Sequence, residues 1–150
     1  MYLDYAFEFS NGQVVTVSAP SEQVMDLGAA NSPHSTADQV VGDSTMFLVV
    51  VIDIDFASTA SFDISLRSND NVDLTTGSPV THCTRNLALA DLKVATAAKS
   101  PTYVIGAFGG QASMRYLGVY YTVNTTADGG GALSAYLVKD PQQNIGGNVW

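Results

Sequence analysis

The chain is poor in positive charge, cysteine, histidine and helix signals, and each shortage excludes something. Six Lys and Arg stand against fourteen Asp and Glu, a formal net charge of −8. Nucleic acid is bound chiefly by cationic side chains that displace counterions, so direct nucleic-acid binding is not expected. An acidic surface is instead attracted to a basic partner surface, by steering that salt weakens, and the expected partner is a protein. Cys83 is the single cysteine, which rules out an intrachain disulfide and reads as a buried thiol. The longest apolar run, Met46 to Ile52, falls far short of the roughly 20 residues that cross a bilayer as a helix. Asp4 and Glu8 occupy the stretch where a secretory leader needs basic and then apolar residues. Neither membrane insertion nor export by that route is expected.

What is present is apolar and β-forming. The 46% hydrophobic content with only 13% charged residues offsets ordering entropy, as disordered chains cannot. The whole chain, 1–150, is expected to form one domain, with 1–8 as an N-terminal arm and 144–150 as a C-terminal tail. Few windows repeat apolar residues at three and four positions. The exception is Leu87 to Ala98, where strand or irregular structure is expected because Leu87, Leu89 and Leu92/Val94 also alternate. Strands are expected at Val14–Ala19, Val24–Leu27, Met46–Phe56, Phe62–Leu66, Val80–Leu89, Thr102–Phe108, Arg115–Val123 and Leu133–Val138, with Ala-Pro-Ser as the first turn and Ser68 to Asp73 ending the fourth strand. Phe9 to Gly28 and Arg115 to Asp140 each read as a β-hairpin. The fold class is therefore all-β: a single-domain β-sandwich, jelly-roll-like, of about eight antiparallel strands. Ala29 to Gly42 reads as a long surface loop.

Catalytic candidates are few, and no enzyme is expected. His34 lies beside Pro33 in the long loop. His82 precedes Cys83, and strand neighbours point to opposite faces, so the pair is not expected to act together. Ser44 lacks the G-x-S-x-G elbow, and Gly129 to Gly131 have no following G-K-[ST] to cradle phosphate. Asp53, Asp55 and the group Asn69, Asp70, Asn71 and Asp73 are oxygen-rich but lack calcium-loop spacing. They read as a solvated polar edge, and neither a metal nor another cofactor is expected. Asn124-Thr125-Thr126 fits a glycosylation acceptor only in an exported chain.

The aromatics outside the core pattern leave two readings each. Tyr116, Tyr120 and Tyr136 fall on the polar face of the final pair of strands. They either pack on the flank of the second sheet or form a flat contact surface. Tyr2, Tyr5, Phe7 and Trp150 either cap the ends of the sandwich or anchor an interface.

In order and spacing, Phe9, Ser10, Gln13, Val15, Thr16, Ser21, Asp26, Leu27 and Gly28 give the pattern FS, Q, VT, S, DLG. They are followed by Leu66, Ser68, Asn69 and Asp70, and then by Arg115, Tyr116, Leu117, Tyr121, Val123, Gly131, Ala135, Leu137 and Asp140. This series resembles the jelly-roll capsid cement, or decoration, proteins of tailed bacteriophages, typified by that of a Bordetella phage. The resemblance implies a non-enzymatic virion protein, made in the host cytoplasm and placed on the outer surface of the capsid. There it would be a homodimer or homotrimer clamping neighbouring subunits of the major capsid protein. A β-sandwich carbohydrate-binding or host-adhesion module is the alternative, with the three tyrosines as its platform. A small hydrolase using Cys83 is a third and more remote reading.

Overall fold

Period-two alternation decides which side chains meet in the interior. The computed structural model describes residues 7–28, 45–57, 61–93, 100–109, 114–124 and 130–139. Its strands are β1 (Glu8–Val14), β2 (Ala19–Pro20), β3 (Met25–Asp26), β4 (Met46–Ile54), β5 (Ser61–Asn69), β6 (Val80–Ala88), β7 (Thr102–Phe108), β8 (Tyr116–Asn124) and β9 (Ala132–Val138). One sheet has the order β1-β9-β4-β7 and the other β2-β8-β5-β6, with β3 also on β8, and every pairing is antiparallel. Taking β2 and β3 as one interrupted strand along β8, this is an eight-strand jelly-roll order.

Leu48, Val50 and Ile52 of β4, Phe62, Ile64 and Leu66 of β5, Leu117, Val119 and Tyr121 of β8, and Leu133, Ala135 and Leu137 of β9 form the interior. Alternation in the sequence had placed those of β5, β8 and β9 on an inward face, whereas the start of β4 reads as a continuous apolar run. A 3-10 turn, Leu89–Leu92, follows β6 and buries Leu92. Over its described part Leu87 to Ala98 is thus strand end followed by a 3-10 turn, so the expected strand or irregular structure holds only for its first two residues and Lys93.

Neither expected hairpin forms. β8 and β9 follow one another in sequence but lie in opposite sheets, and β1 pairs with β9 while β2 and β3 pair with β8. Alternation reports which face is buried, and both members of a facing pair satisfy it equally, so it does not say which strands are neighbours. The strand expected at Val14–Ala19 is displaced for the same reason. β1 ends at Val14 and the chain crosses between the sheets before pairing again at Ala19–Pro20. Ala-Pro-Ser is therefore no turn. Pro20 sits in an edge strand, where a missing N–H breaks no ladder.

Two more corrections concern polar residues. β5 continues through Ser68 and Asn69, which are buried rather than ending the strand. Ser68 Oγ lies 2.9 Å from His82 Nε2, and Asn69 Nδ2 donates to Thr76 O at 2.9 Å. The register shift between Leu66 and Arg67 marks a bulge in the β5–β6 ladder at His82. It turns His82 and Cys83 the same way: His82 packs edge-on to Phe108 at 4.9 Å, and Cys83 packs against the core. The expectation of opposite faces fails at that bulge.

The crossing segment is held by a buried polar chain. Ser10 Oγ donates to Gln13 Oε1 at 2.6 Å, which leaves Tyr121 OH as donor to Ser10 Oγ at 2.7 Å. Gln13 Nε2 donates to Pro20 O and its Oε1 accepts from Glu22 N, both at 3.0 Å. Ser21 Oγ accepts from Val119 N at 3.1 Å and donates to Gln23 O at 2.7 Å. Ser10, Gln13 and Ser21 thus join the first strand, the crossing and β8, with every polar group partnered, as burial requires.

Candidate functional site

The three strand tyrosines do not share a surface. Tyr116 and Tyr120 lie on the outer face of the sheet containing β8, and Tyr136 lies on the outer face of the sheet containing β9. These faces point away from one another because the core lies between them. Tyr136 pairs with Glu8 of β1 and Val49 of β4. Its hydroxyl pKa is raised by burial and, secondarily, by Asp53. Among the described residues Glu8 Oε1 is a buried oxygen without a hydrogen-bond partner. Glu8 itself belongs to β1 rather than to an arm, and Phe7 packs partly buried against the core. Tyr2, Tyr5, Trp150, His34, Ser44, the tail 144–150 and the loop Ala29 to Gly42 lie outside the described residues.

The outer face of β8, β5 and β6 is the richest in side chains suited to recognition. Tyr120 pairs with Ser65, and Tyr116 with Asn69. The Arg67 guanidinium lies 4.4 Å from the Tyr120 ring centroid, and its Nε donates to Ser65 Oγ at 2.9 Å. A planar cation stacked on an aromatic face is held in place without losing its remaining donors. Two residues along from Ser65, Asp63 Oδ2 accepts from Asn124 Nδ2 at 2.9 Å, and Oδ1 accepts from Asn86. Between the tyrosines Gly118 leaves a hollow that Leu74 fills; a β-carbon there would sit 2.8 Å from Leu74 Cδ1. Leu74 itself adopts φ 57°, a strained conformation for a branched side chain, retained because the side chain is fully buried.

At the Tyr116 end, Arg115 closes the face. Its Nε and Nη2 donate to the two carboxylate oxygens of Asp26 at 2.9 and 2.8 Å, and its guanidinium lies 4.9 Å from the Tyr116 ring centroid. Gly28, at φ +83°, brings its N–H to Asp26 Oδ1 at 2.9 Å. The DLG triplet is thus a turn that presents one carboxylate to one arginine. The Arg115 hydrogen bond, then the Gly28 amide, hold the Asp26 pKa at about 2 instead of 3.8. Because the folded value is the lower one, the pair contributes stability above pH 3.8, and the contribution is lost as pH falls through about 2. In Arg115→Gln the Asp26 carboxyl midpoint is expected to move up towards 3.8, read by NMR titration of the side-chain carbon. An unchanged midpoint would show that Arg115 does not set it.

Among the described residues, Cys83, His82, Asp53 and Asp55 are engaged or placed as follows. Burial raises the Cys83 pKa against a smaller lowering by the Leu66 backbone, so the thiol stays protonated. Burial lowers that of His82, whose Nε2 is engaged with Ser68. Asp53 accepts from Ser134 Oγ at 2.6 Å, and Asp55 lies beyond the end of β4. Among the described residues no three His, Cys, Asp or Glu side chains converge as metal ligands.

Sequence reasoning placed Asp63, Ser65 and Arg67 on a polar face but gave them no role. The signal was their alternation with Phe62, Ile64 and Leu66. A protein-family model described as Bbp16 matches residues 9–137, from the second residue of β1 to the penultimate residue of β9. A search of curated proteins found no match.

Proposed function

Because this chain belongs to the Bbp16 family, a family of Bordetella phage proteins, we propose that it is a capsid cement protein. The family makes it a phage structural protein and a component of the virion. In the finer reading it is non-enzymatic, binds the outer surface of the major capsid protein lattice as a homo-oligomer, and stabilises the head. The observation that carries this reading is the family match across all nine strands. Two features of the sandwich support it. The residues of the FS, Q, S, DLG pattern join strands and sheets, which makes a stiff body. The acidic net charge suits a basic partner surface and not packaged nucleic acid.

A cement protein acts by differential binding. It contacts the assembled lattice better than isolated subunits, so it adds free energy only to the closed shell. Many copies of a modest contact suffice when each bridges subunits that internal pressure would separate. The carbohydrate-binding alternative would have to use Tyr116 and Tyr120 without Tyr136, and both rings already carry a guanidinium. Purified protein added to expanded capsids that lack it is expected to cosediment with them saturably and to raise their rupture temperature. Absence of cosedimentation at every salt concentration would overturn the cement reading and bring a glycan-array screen forward.

A further inference from the structure

We infer that the outer face of the β1-β9-β4-β7 sheet is a docking surface for the chain's own N-terminal segment, Met1 to Ala6, which lies across it as a third layer. The core residues Leu48, Val50 and Ile52 of β4 alternate with Phe47, Val49 and Val51, which therefore point outward. Val138 stands beside Phe47, and Val104 and Tyr136 flank Val49. This outer face is apolar where that of the other sheet carries Asp63, Ser65, Arg67 and Thr122. Strands that are apolar on both sides are strands covered on both sides. Burial agrees: Val49 is 0% exposed and Val138 6%, although neither belongs to the core cluster. Glu8 Oε1, in the same row as Tyr136 and Val49, is also sealed from solvent. Side chains standing beside Val49 shield its flanks, and complete exclusion needs a layer above it. The described strands make two layers and supply nothing outside this sheet.

Composition, position and reach select Met1 to Ala6 as the occupant. Met1, Tyr2, Leu3, Tyr5 and Ala6 all bring apolar bodies, and Asp4 is the one charged side chain among them. The stretch 29–44 is dominated by Ser, Thr, Asn, Asp and Gln, and 140–150 spreads Ile145, Val149 and Trp150 among polar residues and glycine. The segment joins the sheet at its edge strand β1, whose first residue, Glu8, lies in the row of Val49. The backbone at Phe7 is a 3-10 turn, which bends the chain off the line of β1 where the segment begins. Six extended residues at a rise of about 3.3 Å reach about 20 Å, and three strand spacings of about 4.8 Å, from β1 across to β7, make about 14 Å. Alternation in an extended segment puts Met1, Leu3 and Tyr5 on one side and Tyr2, Asp4 and Ala6 on the other. With Met1, Leu3 and Tyr5 against the valines, Asp4 faces water, clear of Glu8. Tyr5 then belongs to the cover, and Tyr2 with Asp4 forms the surface this side of the protein presents.

The placement is independent of the cement reading and is tested on the free, full-length chain. A nitroxide is attached at Tyr2→Cys, with Cys83→Ser so that the label has one site. In isotope-enriched chains carrying the label, the amide resonances of Phe47, Val49, Val51 and Tyr136 are expected to broaden, and those of Asp63, Ser65 and Arg67 on the opposite outer face to be much less affected. Adding Leu3→Asp should abolish the broadening, because a carboxylate is not accommodated against an apolar face; the dispersion of the remaining resonances shows that the sandwich is intact. When labelled chains are mixed with enriched, unlabelled ones, the same amides should stay sharp. Absence of broadening in the labelled chain, or broadening that survives Leu3→Asp, would overturn the inference. So would broadening of equal size in the mixture, which would give the face to a second copy, or broadening from a label at Trp150→Cys and not from residue 2, which would give it to the tail. Failure of capsid cosedimentation with these results in hand would overturn the cement reading and leave the third layer standing.

Discussion

Phe62→Ala is expected to remove about 3–5 kcal/mol of stability, the usual cost of truncating a buried phenylalanine. Phe62 is fully buried in the core, between two other buried aromatic rings. Its ring lies 5.0 Å from that of Phe56 and 5.8 Å from that of Tyr121. The loss includes transfer of the ring to a watery reference state, the void it leaves, and the ring contacts on either side. Neighbouring strands restrain collapse into the void, since Phe62 pairs with Leu87 on one side and Val123 on the other. For a domain whose net stability is about 5–15 kcal/mol, this is roughly a fifth of the whole or more. Urea unfolding should show a large fall in midpoint with little change in slope. Phe62→Leu, which keeps most of the volume, should lose much less. Equal losses in the two variants would mean that ring packing is not what Phe62 contributes.

Gly131→Ala is expected to be nearly as damaging, by overfilling. A β-carbon at Gly131 would lie 2.2 to 2.5 Å from three atoms of the Phe56 ring, far inside van der Waals contact. Phe56 has no free direction in which to yield, because it is fully buried and packs on Phe62. The neighbouring backbone is also engaged: Gly131 O accepts from Val15 N at 3.0 Å, and Phe56 N donates to Leu92 O at 3.1 Å. Overpacking of this kind costs about 1–3 kcal/mol and more where the neighbours are fixed. Here about 3 kcal/mol is expected, with loss of β9 ladder protection in hydrogen exchange near Ala132. Gly130→Ala provides the contrast in cause. It has open space around the added carbon but φ +139°, so any loss there is backbone strain and should leave Phe56 unmoved. A stable Gly131→Ala protein with an unperturbed Phe56 ring environment would show that the close approach is not a constraint.

The inward faces were legible because strand geometry converts every second residue into one side of a sheet. Phe62, Ile64 and Leu66, or Leu117, Val119 and Tyr121, could be placed on that basis alone. Partners were not legible, and the two misread hairpins show why. A glycine-containing connection can return a chain along its neighbour or carry it across to the facing sheet, with the same apolar alternation in both cases. The first strand was misplaced because Glu8–Gln13, with its polar residues and Gly12, shows no alternating apolar pattern. In the structure Gly12 adopts φ +65° inside β1, where register shifts absorb it. Ser68 and Asn69 were read as a strand end because they are polar, but satisfied hydrogen bonds let polar groups stay inside.

The candidate surface was legible in part. Alternation put Tyr116, Tyr120, Asp63 and Arg67 on outer faces, while the separation of Tyr136 from the other tyrosines depends on topology. The Asp26–Arg115 pair joins residues far apart in sequence, and only their shared membership of the family pattern connected them beforehand.

β9 lies between β1 and β4, and β5 with β6 are the only strands adjacent both along the chain and within a ladder. A ribosome making this protein therefore releases eight strands before the one that closes the first sheet. Until residue 138 has emerged, β1 and β4 have no strand to join them, and only the β5–β6 ribbon forms from local information. Folding of so non-local a sheet proceeds over milliseconds to seconds. Nascent chains meanwhile expose apolar strands with unpaired backbone, the condition in which chains at high concentration capture one another. The yield of folded protein during a burst of synthesis is thus governed by how quickly β9 finds its slot.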